Sequence, residues 1–182
     1  MKITKEYIEQ NKELHKTRDD YGSNGHKWAQ VVIDICKNLD TRDVLDYGCG
    51  KGTLRQKVPL LQIKNYDPAV EEWSQRPEKA DVVCCFDVLE HVEPKCLDDV
   101  LRDLSSLAKR AAIFVIATRP AVKFLPDGRN AHLIQKGMLW WLQRVMAKTK
   151  FQVQQINNMD DQEFLVILKN KNDLAIKEKM PV

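Results

Sequence analysis

The stretch Val44-Leu45-Asp46-Tyr47-Gly48-Cys49-Gly50-Lys51-Gly52 constrains this chain more than any other. Residues 43–47 read as a short buried strand that closes on an acid, and three alternating glycines follow. A glycine has no Cβ, so the backbone there can turn sharply and come close to a ligand. In an open α/β sheet this happens at the carboxyl ends of the strands, where ligands sit. The spacing is D-x-G-x-G-x-G. Dinucleotide dehydrogenases use G-x-G-x-x-G, so an NAD-dependent oxidoreductase is disfavoured.

The rest of the chain alternates strand and helix around this unit. Residues 4–20 predict a polar helix anchored by Tyr7, Ile8 and Leu14. A turn-rich hinge follows, with Asn24 as a cap for a helix over 26–39. After the glycine loop come a short helix to Pro59, a strand at 63–66 closed by Asp67-Pro68, and an apolar strand at 81–86. Such a continuous apolar run marks a strand covered on both faces. An amphipathic helix over 94–109 and a strand at 111–117 follow, then a polar loop at 118–136. The pattern closes with a helix over 137–148 and a hairpin of 151–157 and 163–169. This is an α/β pattern: a mostly parallel sheet, helices on both faces, and an antiparallel strand supplied by the C-terminal hairpin.

Composition removes some classes. No apolar run approaches the ~20 residues that cross a bilayer, and the charged N-terminus lacks a signal-peptide core. A cytoplasmic protein with no membrane partner is expected. The five cysteines show no metal-ligand spacing and read as free thiols, so no metal is assigned from them. The net charge of +3 comes from scattered basic residues, which permits a nucleic-acid partner without arguing for one.

Two further signals belong with the glycine loop. Asp67 ends the second strand, where one carboxylate can hold both hydroxyls of a ribose. Phe86-Asp87-Val88-Leu89-Glu90-His91-Val92 leaves the central apolar strand, which puts its polar side chains on the floor of a cleft. Together these signals resemble the class I S-adenosylmethionine (SAM)-dependent methyltransferases over residues 27–169. The resemblance implies a Rossmann-like sheet and SAM as cofactor. It puts Asp46, Gly48, Cys49, Gly50, Gly52, Asp67, Pro68 and Asp87 in the cofactor site. It divides the chain into an N-terminal helical lid (1–26), the methyltransferase domain (27–170) and a charged tail (171–182) expected to fray. The family normally has a full strand and helix after the ribose-binding acid. Only thirteen residues separate Asp67 from Asp81 here, so the third strand is abbreviated or missing. The adenine is then left to Trp73 or Asp87.

The loop Leu-Pro-Asp-Gly-Arg-Asn-Ala-His-Leu-Ile at 125–134 resembles a subgroup of small bacterial or bacteriophage-type methyltransferases. Two readings of it stay open. Asp127-Gly128 sets an ordinary turn, or Arg129 binds an anionic substrate and His132 is a general base. His91 is a second candidate base, its alternative being a satisfied residue at a helix start. Histidine suits the role because its ordinary pKa lies near neutrality. A metal-assisted route would need Glu90, His91 and His132 to converge. The Asn/Asp-Pro-Pro-Tyr motif of amino-methylating DNA enzymes and the Pro-Cys pair of cytosine-C5 enzymes are both missing. A small molecule, a sugar or a nucleotide-type acceptor therefore ranks first, and nucleic acid second. The polar cluster at 127–132 argues against a non-catalytic SAM-binding partner protein. Trp28 reads equally as part of a lid or of the core, and Trp140 and Trp141 read as core. No residue pattern bears on oligomeric state.

Overall fold

A computed structural model describes residues 1–173, so the expected charged tail lies outside the described residues from 174 onward. Six strands form one sheet: β1 (Asp43–Tyr47), β2 (Gln62–Tyr66), β3 (Ala80–Phe86), β4 (Ala108–Ala117), β5 (Phe151–Met159) and β6 (Glu163–Asn170). Their spatial order is β2-β1-β3-β4-β6-β5. The first four run parallel, and β6 lies antiparallel between β4 and β5. The Rossmann-like α/β pattern with a terminal hairpin strand is therefore present.

The period-2 geometry of a strand sends neighbouring side chains to opposite faces, and both faces here are covered. Val82, Cys84 and Phe86 of β3 pack with Ile113 and Val115 of β4. That face is covered by α2 (Ala29–Asn38) and α3 (Thr53–Lys57). Val83 and Cys85 pack with Ala112, Phe114 and Ile116 on the other face, under α4 (Leu97–Leu107) and α5 (Met138–Lys148). This two-sided burial is why β3 and β4 are continuously apolar. Trp141 is fully buried in this second layer, as expected of core.

The third strand that the resemblance implies is missing. Between β2 and β3 the chain makes only a helical turn, Glu71–Trp73, folded back by Asp67 N–H donating to the Trp73 carbonyl at 3.0 Å. The five-residue β2 is therefore the sheet edge, and short edges resist pairing with other chains.

Some boundaries differ from expectation. The helix expected over 26–39 opens as a tight turn, Gly25–Trp28, and becomes α-helical only at Ala29. Asn24 does not cap it; its amide donates instead to the Asp87 carboxylate at 3.4 Å. The helix expected over 94–109 ends at Leu107, because Ala108 already pairs with Ala80 of β3. At the other end of the chain, α1 (Lys5–Thr17) is capped by the Thr4 hydroxyl, which accepts from the Tyr7 N–H at 3.2 Å. Among the described residues no helix is long and apolar enough to cross a membrane.

The inserted strand should carry far more stability than the edge strand beside it. Phe164 of β6 is fully buried, whereas Ile156 of β5 is 40% exposed. Phe164→Ala should cost about 3–5 kcal/mol and Ile156→Ala under about 1 kcal/mol. Urea unfolding monitored by far-UV circular dichroism checks both.

Candidate functional site

The glycine loop is held open by the end of β2. Gly48 and Cys49 both donate their N–H groups to the Tyr66 carbonyl, at 2.7 and 3.1 Å. Asp67 takes the next N–H, from Gly50 at 3.0 Å on Oδ2, and its Oδ1 accepts from Ala69 at 2.9 Å. Each carboxylate oxygen has a second lone pair, so Asp67 keeps acceptor capacity toward the cleft. Two of the glycines are required by contact as well as by conformation. Gly48 has φ +77°, and a Cβ there would overlap the Val88 side chain. Gly50 has φ +51°, and a Cβ there would overlap the backbone of Gly22. Gly52 lies against Asn65 and Trp73, behind the loop.

Asp46 closes β1 directly beneath this loop and is 3% exposed. Its Oδ2 is buried with no hydrogen-bond partner. Burial, with the charge of Asp67 adding to it, pushes its carboxyl up to about 7. The loop is thus ordered by Tyr66 and Asp67, and Asp46 is left as an unneutralised acid. Asp87 ends β3 with φ +55°, held by its N–H to the Val115 carbonyl at 3.0 Å. Burial and the nearby Glu163 push it up to about 6.

These residues line one cleft of about 430 Å³. Asp46, Gly48, Cys49, Gly50, Asp67, Pro68, Asp87, His91 and His132 all border it, so nine of the residues singled out from the sequence meet there. Gly52 and Arg129 do not. Arg129 is exposed and turned onto its own loop, where it pairs with Asp127 at 2.6 Å and holds that carboxyl well below the ordinary range. Asp127 is also held by Gln10 of α1 at 2.9 Å. Trp73 packs against Gly52 and is not a wall of the cleft. Trp28 borders the cleft and also packs on Phe86, 6.0 Å between ring centres. Cys49 offers no nucleophile, since burial pushes its thiol far up.

A second polar group forms where β3 ends and the 118–136 loop returns. The turn Leu89–His91 carries Glu90 and His91, and His132 comes to them from the loop. The two imidazole rings stand perpendicular, 4.7 Å between centres. Glu90 is fully buried; its Oε1 accepts from the Ala117 N–H at 3.0 Å, and its Oε2 has no partner. Burial, then the charge of Asp87, pushes it up to about 8. Burial pulls His91 down to about 3 and lowers His132 as well, so both rings are neutral near pH 7. His132 Nδ1 lies 2.6 Å from the Arg119 carbonyl. A carbonyl only accepts, so Nδ1 carries the proton and Nε2 keeps its lone pair.

The N-terminal segment completes the walls, and most of its contributions escaped the sequence reading. The Tyr7 hydroxyl donates to the His91 carbonyl at 2.6 Å, and Glu93 accepts from both the Thr4 N–H and the Thr4 hydroxyl at 2.8 and 3.0 Å. Lys51 donates its N–H to the Gly22 carbonyl at 2.8 Å. His15 stands 3.9 Å from Asp67, with its ring lowered by burial. Lys2, Lys27, Arg119 and Lys123 are the lysines and arginines that border the cleft. Arg119 had a signal in the sequence, since it lies just past the carboxyl end of β4, where ligands collect.

Two measurements follow from this geometry. Asp46 binds its proton more tightly folded than unfolded. Its contribution to stability is therefore full below about pH 4 and is lost as pH rises toward about 7. The ligand-free protein should show a lower urea midpoint at pH 7.5 than at pH 4.5, and Asp46→Asn should flatten that decline. Gly50→Ala should cost about 2 kcal/mol or more through left-handed strain and the collision with Gly22. The same substitution should speed hydrogen exchange in residues 18–26.

Comparison with known proteins bears on the whole of this arrangement. A family model described as a methyltransferase domain matches residues 17–170, leaving all but the last residue of α1 outside the match. No curated protein matches the chain. Among solved structures, the fold is similar to that of 1,6-didemethyltoxoflavin-N1-methyltransferase from Burkholderia thailandensis, bound to its substrate and S-adenosylhomocysteine. That likeness has a TM-score of 0.66 and 13% identity, over 91% of this chain and 89% of that one. A SAM-dependent methyltransferase from Clostridium acetobutylicum gives 0.60 and 12%, over 90% and 97%. Magnesium protoporphyrin IX methyltransferase from Synechocystis PCC 6803, with bound S-adenosylhomocysteine, gives 0.55 and 17%, over 80% and 83%. The glycine loop on β1, the acid ending β2 and the match across most of the chain agree, and the protein belongs to the methyltransferase domain family.

Proposed function

We propose that the protein is a SAM-dependent methyltransferase that acts on an oxygen of a small molecule, a sugar or a nucleotide-type acceptor. The observation that carries this is the single cleft with two unlike polar ends, an unpartnered Asp46 under the glycine loop and a neutral His91–His132 pair. Its volume of about 430 Å³ lies in the range of small-ligand sites. The solved structures it resembles include methyltransferases named for small molecules, 1,6-didemethyltoxoflavin and magnesium protoporphyrin IX.

The residues present fit the cofactor. Buried Asp46 Oδ2 lacks a partner, and a cationic ligand would supply one. Gly48 and Gly50 keep the loop backbone free of side chains at the cleft. Asp67 retains lone pairs for hydroxyls, and Asp87 borders the same cleft. When bound, SAM supplies an electrophilic methyl carbon on a sulfonium. The protein's part is to hold the acceptor in line and to promote loss of its hydroxyl proton. His132 and His91 line the acceptor end of the cleft and serve that purpose. The N-terminal segment 1–26 acts as the lid that excludes water, tied down by Tyr7, Thr4 and Gly22.

His132→Ala should leave S-adenosylhomocysteine affinity within about threefold, yet lower turnover at least about 100-fold. Asp46→Asn should weaken SAM binding at least tenfold, about 1.4 kcal/mol. Calorimetric titration measures both affinities, and a tritiated-SAM screen across nucleotides, nucleic acids, sugars and small acids measures transfer. Absence of SAM and S-adenosylhomocysteine binding by the wild type would sink the proposal.

A further inference from the structure

Glu90, His91 and His132 can each present one ligand atom so that all three lie within 4.8 Å of one another. Nitrogen and oxygen ligands sit about 2.1 Å from a zinc-sized ion, so donors at tetrahedral angles are about 3.4 Å apart. Donors as far apart as 4.8 Å must close by up to roughly 1.4 Å to grip such an ion.

Proximity is not the only observation. Glu90 is fully buried, and its Oε2 has no hydrogen-bond partner. His91 Nδ1 is also buried without a partner. Buried polar atoms are nearly always satisfied, and leaving one unsatisfied costs about 1–3 kcal/mol. A cation between them would satisfy both. His132 is already set as a ligand: Nδ1–H donates to the Arg119 carbonyl at 2.6 Å, which leaves the Nε2 lone pair free. Metal-binding histidines characteristically anchor their other ring nitrogen in this way.

We propose that Glu90, His91 and His132 form a site for one divalent first-row transition ion, and that the acceptor chelates this ion through two neighbouring oxygens. Two imidazoles and one carboxylate select such ions over magnesium and calcium, which prefer all-oxygen sets. Three protein ligands leave adjacent coordination positions open, which suits a vicinal diol, a catechol or a 2-hydroxy acid. The acceptor half rests on the methyltransferase reading above; the ion site does not. Coordination lowers the pKa of the acceptor hydroxyl, and its proton goes to solvent. The oxygen then bonds to the methyl carbon as the carbon–sulfur bond breaks, with the electron pair going to sulfur to give S-adenosylhomocysteine. His132 thereby promotes proton loss as a ligand.

The test uses the full chain, stripped with chelator and dialysed, then titrated separately with manganese, zinc and magnesium chlorides by calorimetry. Manganese is also followed by electron paramagnetic resonance. Wild type should take up one manganese or zinc ion per chain, with magnesium at least tenfold weaker. Glu90→Gln and His132→Gln should each weaken uptake at least tenfold while far-UV circular dichroism stays unchanged. Should a variant misfold, His91→Asn gives the same reading. Lack of stoichiometric uptake by wild type overturns the site, as do variants that titrate like wild type. S-adenosylhomocysteine is titrated into the same samples. Binding of it without ion uptake overturns the ion site alone, and ion uptake without it overturns the methyltransferase reading alone. With both bound, acceptors bearing an isolated hydroxyl should be methylated at least tenfold more slowly than vicinal ones. Equal rates overturn the chelation.

Discussion

The catch at the end of β2 is the interaction on which the site depends. One carbonyl, of Tyr66, and one carboxylate, of Asp67, take three successive N–H groups of the glycine loop. A loop with left-handed φ at Gly48, Gly50 and Gly52 has no regular hydrogen-bond ladder of its own. Without the catch those donors would be buried unsatisfied, and the loop would have no reason to hold this shape. Because Asp67 does that work, Asp46 is left beneath the loop with an unpartnered oxygen, ready for a cationic ligand.

The same loop is the floor on which the N-terminal segment lands. Backbone meets backbone where Gly22 crosses Gly50, and only two glycines permit that approach. Beyond this crossing, α1 packs Tyr7 and Leu14 on Leu125 and Ala131 of the 118–136 loop. That loop is where His132 sits, so α1 and the histidine end of the cleft share one small apolar cluster. Movement of α1 would therefore disturb His91 and His132 together, the former through the Tyr7 hydroxyl bond.

Three acids, Asp46, Asp87 and Glu90, border one cleft with their carboxyls pushed up by burial. Holding buried acids near one another is costly unless something positive joins them. A sulfonium at one end and a divalent ion at the other would each relieve part of that cost. Perturbed groups gathered in a cleft are the usual mark of a functional site, and the two ends here call for different cations.

Sequence alone determined the strand–loop–helix unit at 43–57, the order of strands and helices, and the acids at 46, 67 and 87. Each of these is a local signal: an apolar run, a glycine spacing, a polar residue at a strand end. Where local signals competed, the reading slipped. Asn24 has the chemistry of a helix cap but bonds Asp87 instead, and Arg129 has the chemistry of an anion ligand but is taken by Asp127 two residues away. Only the tertiary structure decided that Gly50 is required by Gly22, that α1 walls the cleft, and that Glu90, His91 and His132 meet. His132 lies 41 positions beyond His91, and their meeting depends on how a turn after β3 and a loop after β4 fold back toward each other. No periodicity in the chain encodes that distance; the packing of α1 and the loop on the sheet's carboxyl edge sets it.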